Sequence, residues 1–296
     1  MIQAGARRNS SVRAEAEIAR RHTPDFAWPT VWLAAKLYLT FAVSTYSAVT
    51  GAIPMWLGAA INTVFIYSLY TIVHEAVHSN ISSRVTHLRW LDTIIGVLAC
   101  IPLWLFFDHH KRSHGVHHGH TNTDQDSDIY SRGDFWGWCL VRLPRALINY
   151  FNPAQLHREC RTFGLSARST RITLATFAAY AAVIVGLVVA GDGHHVLLLW
   201  FIPWWIGQFV MLTLFTWAPH HDHRETGRYR NTRVSLWPGA NFLLLGQNYH
   251  LIHHMIPSVP YYRYEATFEE MRPILEQKGV RIEGFWPEPT SRPAAA

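Results

Sequence analysis

The stretch I72-V-H-E-A-V-H-S-N80 decides how the rest of the chain is read. Its H-E-x-x-H core puts His74 and His78 at i and i+4, on one face of a helix. Taken alone, that is a zinc-dependent peptidase site, with two imidazoles on the metal and Glu75 as general base. The residues just before it argue for a different setting. Residues 53–73 form an apolar run of the ~20 residues that a bilayer crossing needs, so the histidines lie at the end of a membrane helix.

Three further runs have that length, at 32–50, 172–190 and 196–217. The connections "GAIP" (51–54) and "GDGHH" (191–195) are short, which predicts four transmembrane helices in two hairpins. A fifth stretch, 91–107, contains Pro102 and is flanked by Asp92 and Asp108, and it reads as a re-entrant or interfacial helix. Of the 26 Lys and Arg residues, all but Lys36 fall in the N-terminal segment, in 75–171, or from 218 onward. Positive charge marks cytoplasmic segments. The expectation is an all-α, multi-pass integral membrane protein with both termini and a histidine-rich helical cap on the cytoplasmic side. It comprises a tail (1–27), one membrane domain (28–281) and a flexible Pro-rich tail (282–296). The basic N-terminus has no apolar run and is not read as a signal peptide.

Composition agrees. Hydrophobic residues make up 49% and charged residues only 16% of 296, with 13 Trp, 12 Tyr and 15 Phe to populate a membrane interface. The net charge of +6 follows from the topology and is not a nucleic-acid signal. The three cysteines have no C-x-x-C spacing, so neither a disulfide framework nor a thiolate metal site is expected.

Nineteen histidines are the strongest feature, and they cluster. His114, His117 and His118 form H-x-x-H-H within "HHKRSHGVHHGHTNTDQDSD" (109–128), and His250, His253 and His254 repeat it within "GQNYHLIHHMIP" (246–257). With His74 and His78 this makes eight imidazoles on one side of the membrane. A zinc site takes four ligands, so eight suit two metals with four to five nitrogens each. Imidazole accommodates Zn, Cu, Fe and Ni alike. Scattered, solvated histidines do not explain three matched clusters.

Glu75 is a candidate to orient a ligand imidazole, Asn248 to hold a metal-bound water, and His120 to support the cluster. Asp124, Asp126 and Asp128 either accept hydrogen bonds from ligand imidazoles or line a solvated loop. Arg224, Arg228, Arg230 and Arg233 either dock an acidic electron donor or form an ordinary positive-inside surface. Trp136, Trp138, Tyr261 and Tyr262 read as interface anchors.

The three boxes resemble those of the membrane-bound fatty acid desaturase and hydroxylase superfamily, from about residue 74 to residue 281. "LLLGQNYHLIHHMIPSVPYYRY" (243–264), "MRPILEQKG" (271–279), "HGVHHGHTN" (114–122) and "WAPHH" (217–221) look closest to the desaturase-like β-carotene hydroxylases. The resemblance implies two iron ions, O₂ as co-substrate and a ninth ligand, His220. It also implies a long apolar lipid substrate, most directly the terminal ring of β-carotene. Electrons would come from ferredoxin or a reductase, no flavin or nucleotide motif being evident. Two departures bear on the substrate: Glu75 stands where the carotenoid enzymes carry Asp, and "HHDHR" (220–224) where they carry a single His before Arg. An acyl-lipid desaturase, a carotenoid ketolase, an intramembrane zinc peptidase and a non-catalytic metal-binding membrane protein are the alternatives.

Overall fold

The computed structural model describes residues 2–286, with side chains from Val12 onward. Among the described residues the protein is helical, apart from two two-residue strands, β1 (Val234–Ser235) and β2 (Ile282–Glu283). The helices that position the site are α1 (Ile2–His22), α2 (Trp28–Val49), α3 (Met55–Val77), α4 (Arg89–Leu103) and α5 (Phe107–His120). They are followed by α6 (Ala167–Leu187), α7 (Ile202–Leu212), α8 (His250–Met255) and α9 (Tyr264–Gln277).

Helix α3 is the hub, packed by α2, α4 and α7. Its buried Phe65, Ile66, Leu69, Ile72, Val73 and Ala76 form one core with Ala99, Cys100, Leu103 and Phe107. Gly96 and Gly207 allow the close approaches. A Cβ on Gly96 would lie 2.9 Å from Ala76 Cβ, and one on Gly207 2.7 Å from Ile66 Cγ2. Within the bundle, Asn62 is fully buried and satisfied. It accepts from Ser44 Oγ (2.5 Å) and donates to Thr45 Oγ1 (3.0 Å) and the Leu199 carbonyl (2.8 Å).

Among the described residues, three segments are long and apolar enough to cross a membrane: Met55–Val77, Thr86–Leu103 and Ala167–His220. Length and composition do not confirm the expected count of four spans, since the expected runs 172–190 and 196–217 both fall within Ala167–His220. Helix α2 has the length, ~33 Å at 1.5 Å per residue, but it carries Lys36, Thr40, Ser44, Thr45 and Ser47 and is not among them. The 54-residue segment Ala167–His220 would measure ~81 Å if straight, against a hydrocarbon core of ~30 Å. Its helical geometry breaks at Gly191 (φ 99°, ψ −2°), in the sequence expected to be a turn. Tyr180 before the break and Trp200 after it both pack on Trp104, with ring centroids 5.7 and 5.6 Å away.

The stretch expected to be re-entrant has an unusual end. Helix α4 stops at Trp104 in the left-handed conformation (φ 54°). Its last carbonyls are partly or fully buried but not orphaned. Trp200 Nε1 donates to Pro102 O (2.9 Å), while Trp204 Nε1 (2.8 Å) and Gln208 Nε2 (3.1 Å) donate to Leu103 O. Indole and amide donors from α7 and from the helical turn just before it (Leu197–Phe201) thus replace the water that a helix end normally recruits.

The two tails differ from expectation. Helix α1 docks on the protein: Ile18 is buried with Tyr249, Leu251, Ile252 and Phe268. Glu15, 2% exposed, accepts from Arg228 Nη2 (3.1 Å) and Tyr229 Oη (2.6 Å). Residues 282–283, expected in a flexible tail, pair in parallel with Val234–Ser235 as β2. The rest of that expected tail, 287–296, lies outside the described residues.

Candidate metal centre

Each histidine box is set by its own local chemistry. Box one is the last turn of α3. Asp92, 2% exposed, holds the chain beyond it by accepting from Ile81 N (3.0 Å) and Ser82 N (3.3 Å). Box two rides on α5, started by the reversal at Trp104. Box three follows Gly246, which has φ 79° and whose Cβ, if present, would lie 2.6 Å from the Tyr261 carbonyl oxygen. Only glycine meets both demands. The chain then makes a single 3₁₀ turn, Gln247–Tyr249, and enters α8.

These elements bring together the nine histidines expected to be ligands. His74, His78, His114 and His253 form one group, and His117, His220, His250 and His254 a second. His118 stands between them, grouped with His253 and His254. In each group the ligand-capable atoms all lie within 4.8 Å of one another. The rings converge through Nε2. Those atoms are 2.9 Å apart for His78 and His114, 3.0 Å for His74 and His253, 2.8 Å for His118 and His253, and 3.1 Å for His250 and His254.

A cation fits this arrangement. The His220 Nδ1–H donates to the Asn231 carbonyl (3.1 Å), which can only accept, and the His250 Nδ1–H donates to Gln247 Oε1 (3.3 Å). A neutral imidazole has one N–H, so both Nε2 atoms carry bare lone pairs, yet they face each other at 3.1 Å. A shared positive charge resolves that repulsion. Burial favours the neutral, ligating form of most of the rings. It pushes His118 down to about 2 and His250 to about 3, and neighbouring imidazoles add to burial in holding His253 and His254 well below the ordinary range. His117 is the exception. Burial lowers it, but the carboxylates of Asp128 and Asp126 outweigh burial and raise it.

The supporting residues fall out unevenly. Glu75 is fully buried. Its Oε1 accepts from Tyr261 N (3.2 Å) and Asn80 Nδ2 (3.4 Å), and no imidazole nitrogen lies within hydrogen-bond distance of it among the described residues. It therefore braces the segment after box three. Asn248 is buried and donates to Ser235 O (3.3 Å), its Oδ1 is without a partner among the described residues, and it lines a cavity of about 30 Å³ together with His250. His120 is not gathered in: at the frayed end of α5 it is exposed, and its ring turns back to the Val116 carbonyl (3.2 Å). Arg233 is unavailable for docking. It is 1% exposed, and donates to Pro219 O (3.2 Å), Glu283 (2.5 Å) and His221 O. Trp138, expected at the interface, is fully buried and donates to Thr213 Oγ1 (3.1 Å).

Sequence reasoning missed the groups that hold the outward nitrogens: Tyr264 Oη on His253 (3.1 Å), Gln247 on His250, Asn231 O on His220 and Thr121 Oγ1 on His254 (3.5 Å). Only Gln247, three residues before His250, carried a local signal.

Beside the cluster lies a cavity of about 1210 Å³. His110, His114 and Tyr70 line its inner wall, Trp104, Phe106 and Met211 its apolar wall, and Arg145 and Arg158 are among its charged residues.

Comparison with known proteins agrees with this geometry. The fatty acid desaturase family model matches residues 50–286. The chain is 24% identical over 245 residues to a chloroplastic omega-6 fatty acid desaturase of Arabidopsis thaliana, covering 73% of this chain and 52% of the relative. It is 23% identical to a fatty acid conjugase of Calendula officinalis (72% of this chain, 66% of the relative). A chloroplastic omega-3 fatty acid desaturase of Ricinus communis is also 23% identical (71% and 51%). The chain thus spans about half to two thirds of the length of the curated relatives it matches. The family match over most of the chain establishes that it belongs to the fatty acid desaturase family.

Proposed function

We propose that this protein is an O₂-dependent oxidoreductase holding two irons on its nine clustered histidines and introducing a double bond into the acyl chain of a lipid. The observation that carries the proposal is the convergence of nine imidazoles, two of them with bare Nε2 lone pairs face to face, in a chain whose relatives are named as fatty acid desaturases and conjugases. An iron pair, when bound, supplies activation of O₂ and removal of hydrogen from an unactivated C–H. The residues do the rest. The buried imidazoles stay neutral and ligating, Asp126 and Tyr264 hold rings in place, and Trp104, Phe106 and Met211 offer an acyl chain a dry wall beside His114. Binding, orientation and exclusion of water are the protein's share of such chemistry.

The same reading extends to topology. Two membrane hairpins meet at the Gly191 break and at 51–54, with both termini and the cluster on the cytoplasmic side. Helix α4 enters and leaves from that side, its inner end capped by Trp200, Trp204 and Gln208. Electrons arrive from a separate donor such as ferredoxin or a reductase.

Hydroxylation of a carotenoid ring is the second reading, favoured by the extended third box, 243–264. Expression in a β-carotene-producing host, with pigment and acyl-chain profiling, separates the two. New unsaturated chains without hydroxylated carotene support the acyl reading. Hydroxylated carotene with unchanged acyl chains overturns it in favour of the second. One zinc and no iron per chain would sink both.

A further inference from the structure

The two histidine groups are built differently on their outward side. All four imidazoles of the second group have an acceptor on Nδ1. His117 meets Asp126 Oδ1 (2.8 Å), His220 the Asn231 carbonyl (3.1 Å), His250 Gln247 Oε1 (3.3 Å) and His254 Thr121 Oγ1 (3.5 Å). In the first group only His253 has such a partner among the described residues, the neutral Tyr264 hydroxyl at 3.1 Å, and His74 Nδ1 is buried with none. The second group also has the charge. Asp126 is 5% exposed at its side chain and His117 3%, and Asp128 Oδ2 stands 3.8 Å from the same Nδ1.

An imidazole whose far nitrogen donates to a carboxylate is fixed in tautomer and orientation and is a stronger donor to a metal. Removing such a partner typically costs 10–100-fold in metal affinity. A buried hydrogen bond to a charged acceptor outweighs one to a neutral acceptor. Asp126 is itself pinned, since it also accepts from Asn122 N (2.8 Å) and Asp128 N (2.9 Å). Asn122, at φ 64°, extends that frame to the other group-two loop by donating to the Asn231 carbonyl (2.9 Å), the acceptor that also orients His220.

We propose that the two metal positions are inequivalent: the position on His117, His220, His250 and His254 binds ferrous iron more tightly and fills first, with Asp126 as its positioning residue, while the position on His74, His78, His114 and His253 is the labile half. This rests on the di-iron reading but not on the identity of the lipid.

The test uses full-length protein in detergent, loaded anaerobically with ⁵⁷Fe(II) and challenged with a ferrous chelator. Wild type is expected to release one iron per chain quickly and the second at least ~10-fold more slowly, the retained iron giving a single Mössbauer doublet. Asp126→Asn is expected to weaken the slow phase ~10–100-fold and leave the fast one unchanged. Asp128→Asn, which keeps the backbone bonds to Asp126, is expected to shift the slow phase in the same direction by less. Tyr264→Phe is expected to accelerate only the fast phase. Release of both irons in one phase from wild type overturns the proposal, as does an effect of Asp126→Asn or Asp128→Asn confined to the fast phase. Fewer than two irons bound at saturation overturns the di-iron reading and this proposal with it. Absence of activity on acyl lipids with two-phase release intact overturns only the substrate reading.

Discussion

Substituting Glu75 separates a peptidase-like base from a structural brace. Glu75→Gln preserves the side chain's shape, and the amide oxygen can still accept from Tyr261 N and Asn80 Nδ2. The new amide nitrogen takes the place of Oε2, which is already buried without a partner among the described residues, so no hydrogen bond is removed. The two bonds that remain are each worth ~0.5–1.5 kcal/mol when neutral. The net change is expected to be within ~1 kcal/mol, and ~1 kcal/mol shifts the unfolding midpoint of a chain of 150–250 residues by only ~2–4 °C. Glu75→Leu differs in kind. Asn80 keeps the Pro257 carbonyl (3.0 Å), but the partly buried Tyr261 N loses its acceptor, at a cost of up to ~1–3 kcal/mol. Tyr261 opens the turn that carries Tyr264 to His253, so iron retention should suffer too. The assay is iron per chain, thermal unfolding in detergent and lipid oxidation for Glu75→Gln, Glu75→Leu and His253→Ala. The expected order is near-wild-type iron and activity for Gln, reduced stability and iron for Leu, and loss of iron and activity for Ala. A Glu75→Gln protein that is folded and loaded with two irons but inactive by several orders of magnitude would refute the brace and restore the base.

Iron-free protein should lose stability as pH falls below 6.5. His118 and His250, held at about 2 and about 3 by burial, stay unprotonated in the folded state while the unfolded chain takes up protons. The penalty is absent above the unfolded value of 6.5 and grows by up to ~1.4 kcal/mol per group per pH unit below it, until the folded values are reached. Chemical denaturation of metal-stripped protein at pH 7 and pH 5.5 checks this, and a flat profile contradicts it. The double variant Trp204→Phe, Gln208→Leu strips both donors from the buried Leu103 carbonyl and should cost at least ~1–3 kcal/mol, whereas either single variant leaves one donor and should cost less. Gly246→Ala forces a Cβ to 2.6 Å from the Tyr261 oxygen at φ 79°, and should lower both iron content and unfolding temperature. Retention of wild-type iron would mean that the turn before box three can yield.

Much of the centre was legible because ligand spacing is a local property. An H-x-x-x-H or H-x-x-H-H pattern on a helix puts its imidazoles on one face whatever the rest of the chain does. Long apolar runs declare a membrane protein just as locally. His220 is intermediate: no box contains it, and a resemblance had to nominate it before the structure set it 3.1 Å from His250. Glu75 and His120 show the limit. Both sit inside or beside a box, yet one faces the Tyr261 backbone and the other solvent, because a side chain's partner depends on which distant segment packs against its face.

By itself the sequence determined the helical membrane class and the eight histidines of the three boxes, and a family resemblance added His220. Tertiary structure alone decided how these nine divide: His117 groups with His220 and His250, while its neighbours in sequence, His114 and His118, turn elsewhere. It also decided that α4 ends inside the protein under Trp200, Trp204 and Gln208, and that the N-terminal segment is an anchored helix and not a free tail. The physical reason is the same each time. Periodicity along one helix fixes which residues share a face, but a buried N–H or carbonyl takes its partner from whatever the packing of other helices brings within ~3 Å, and that is a property of the whole fold.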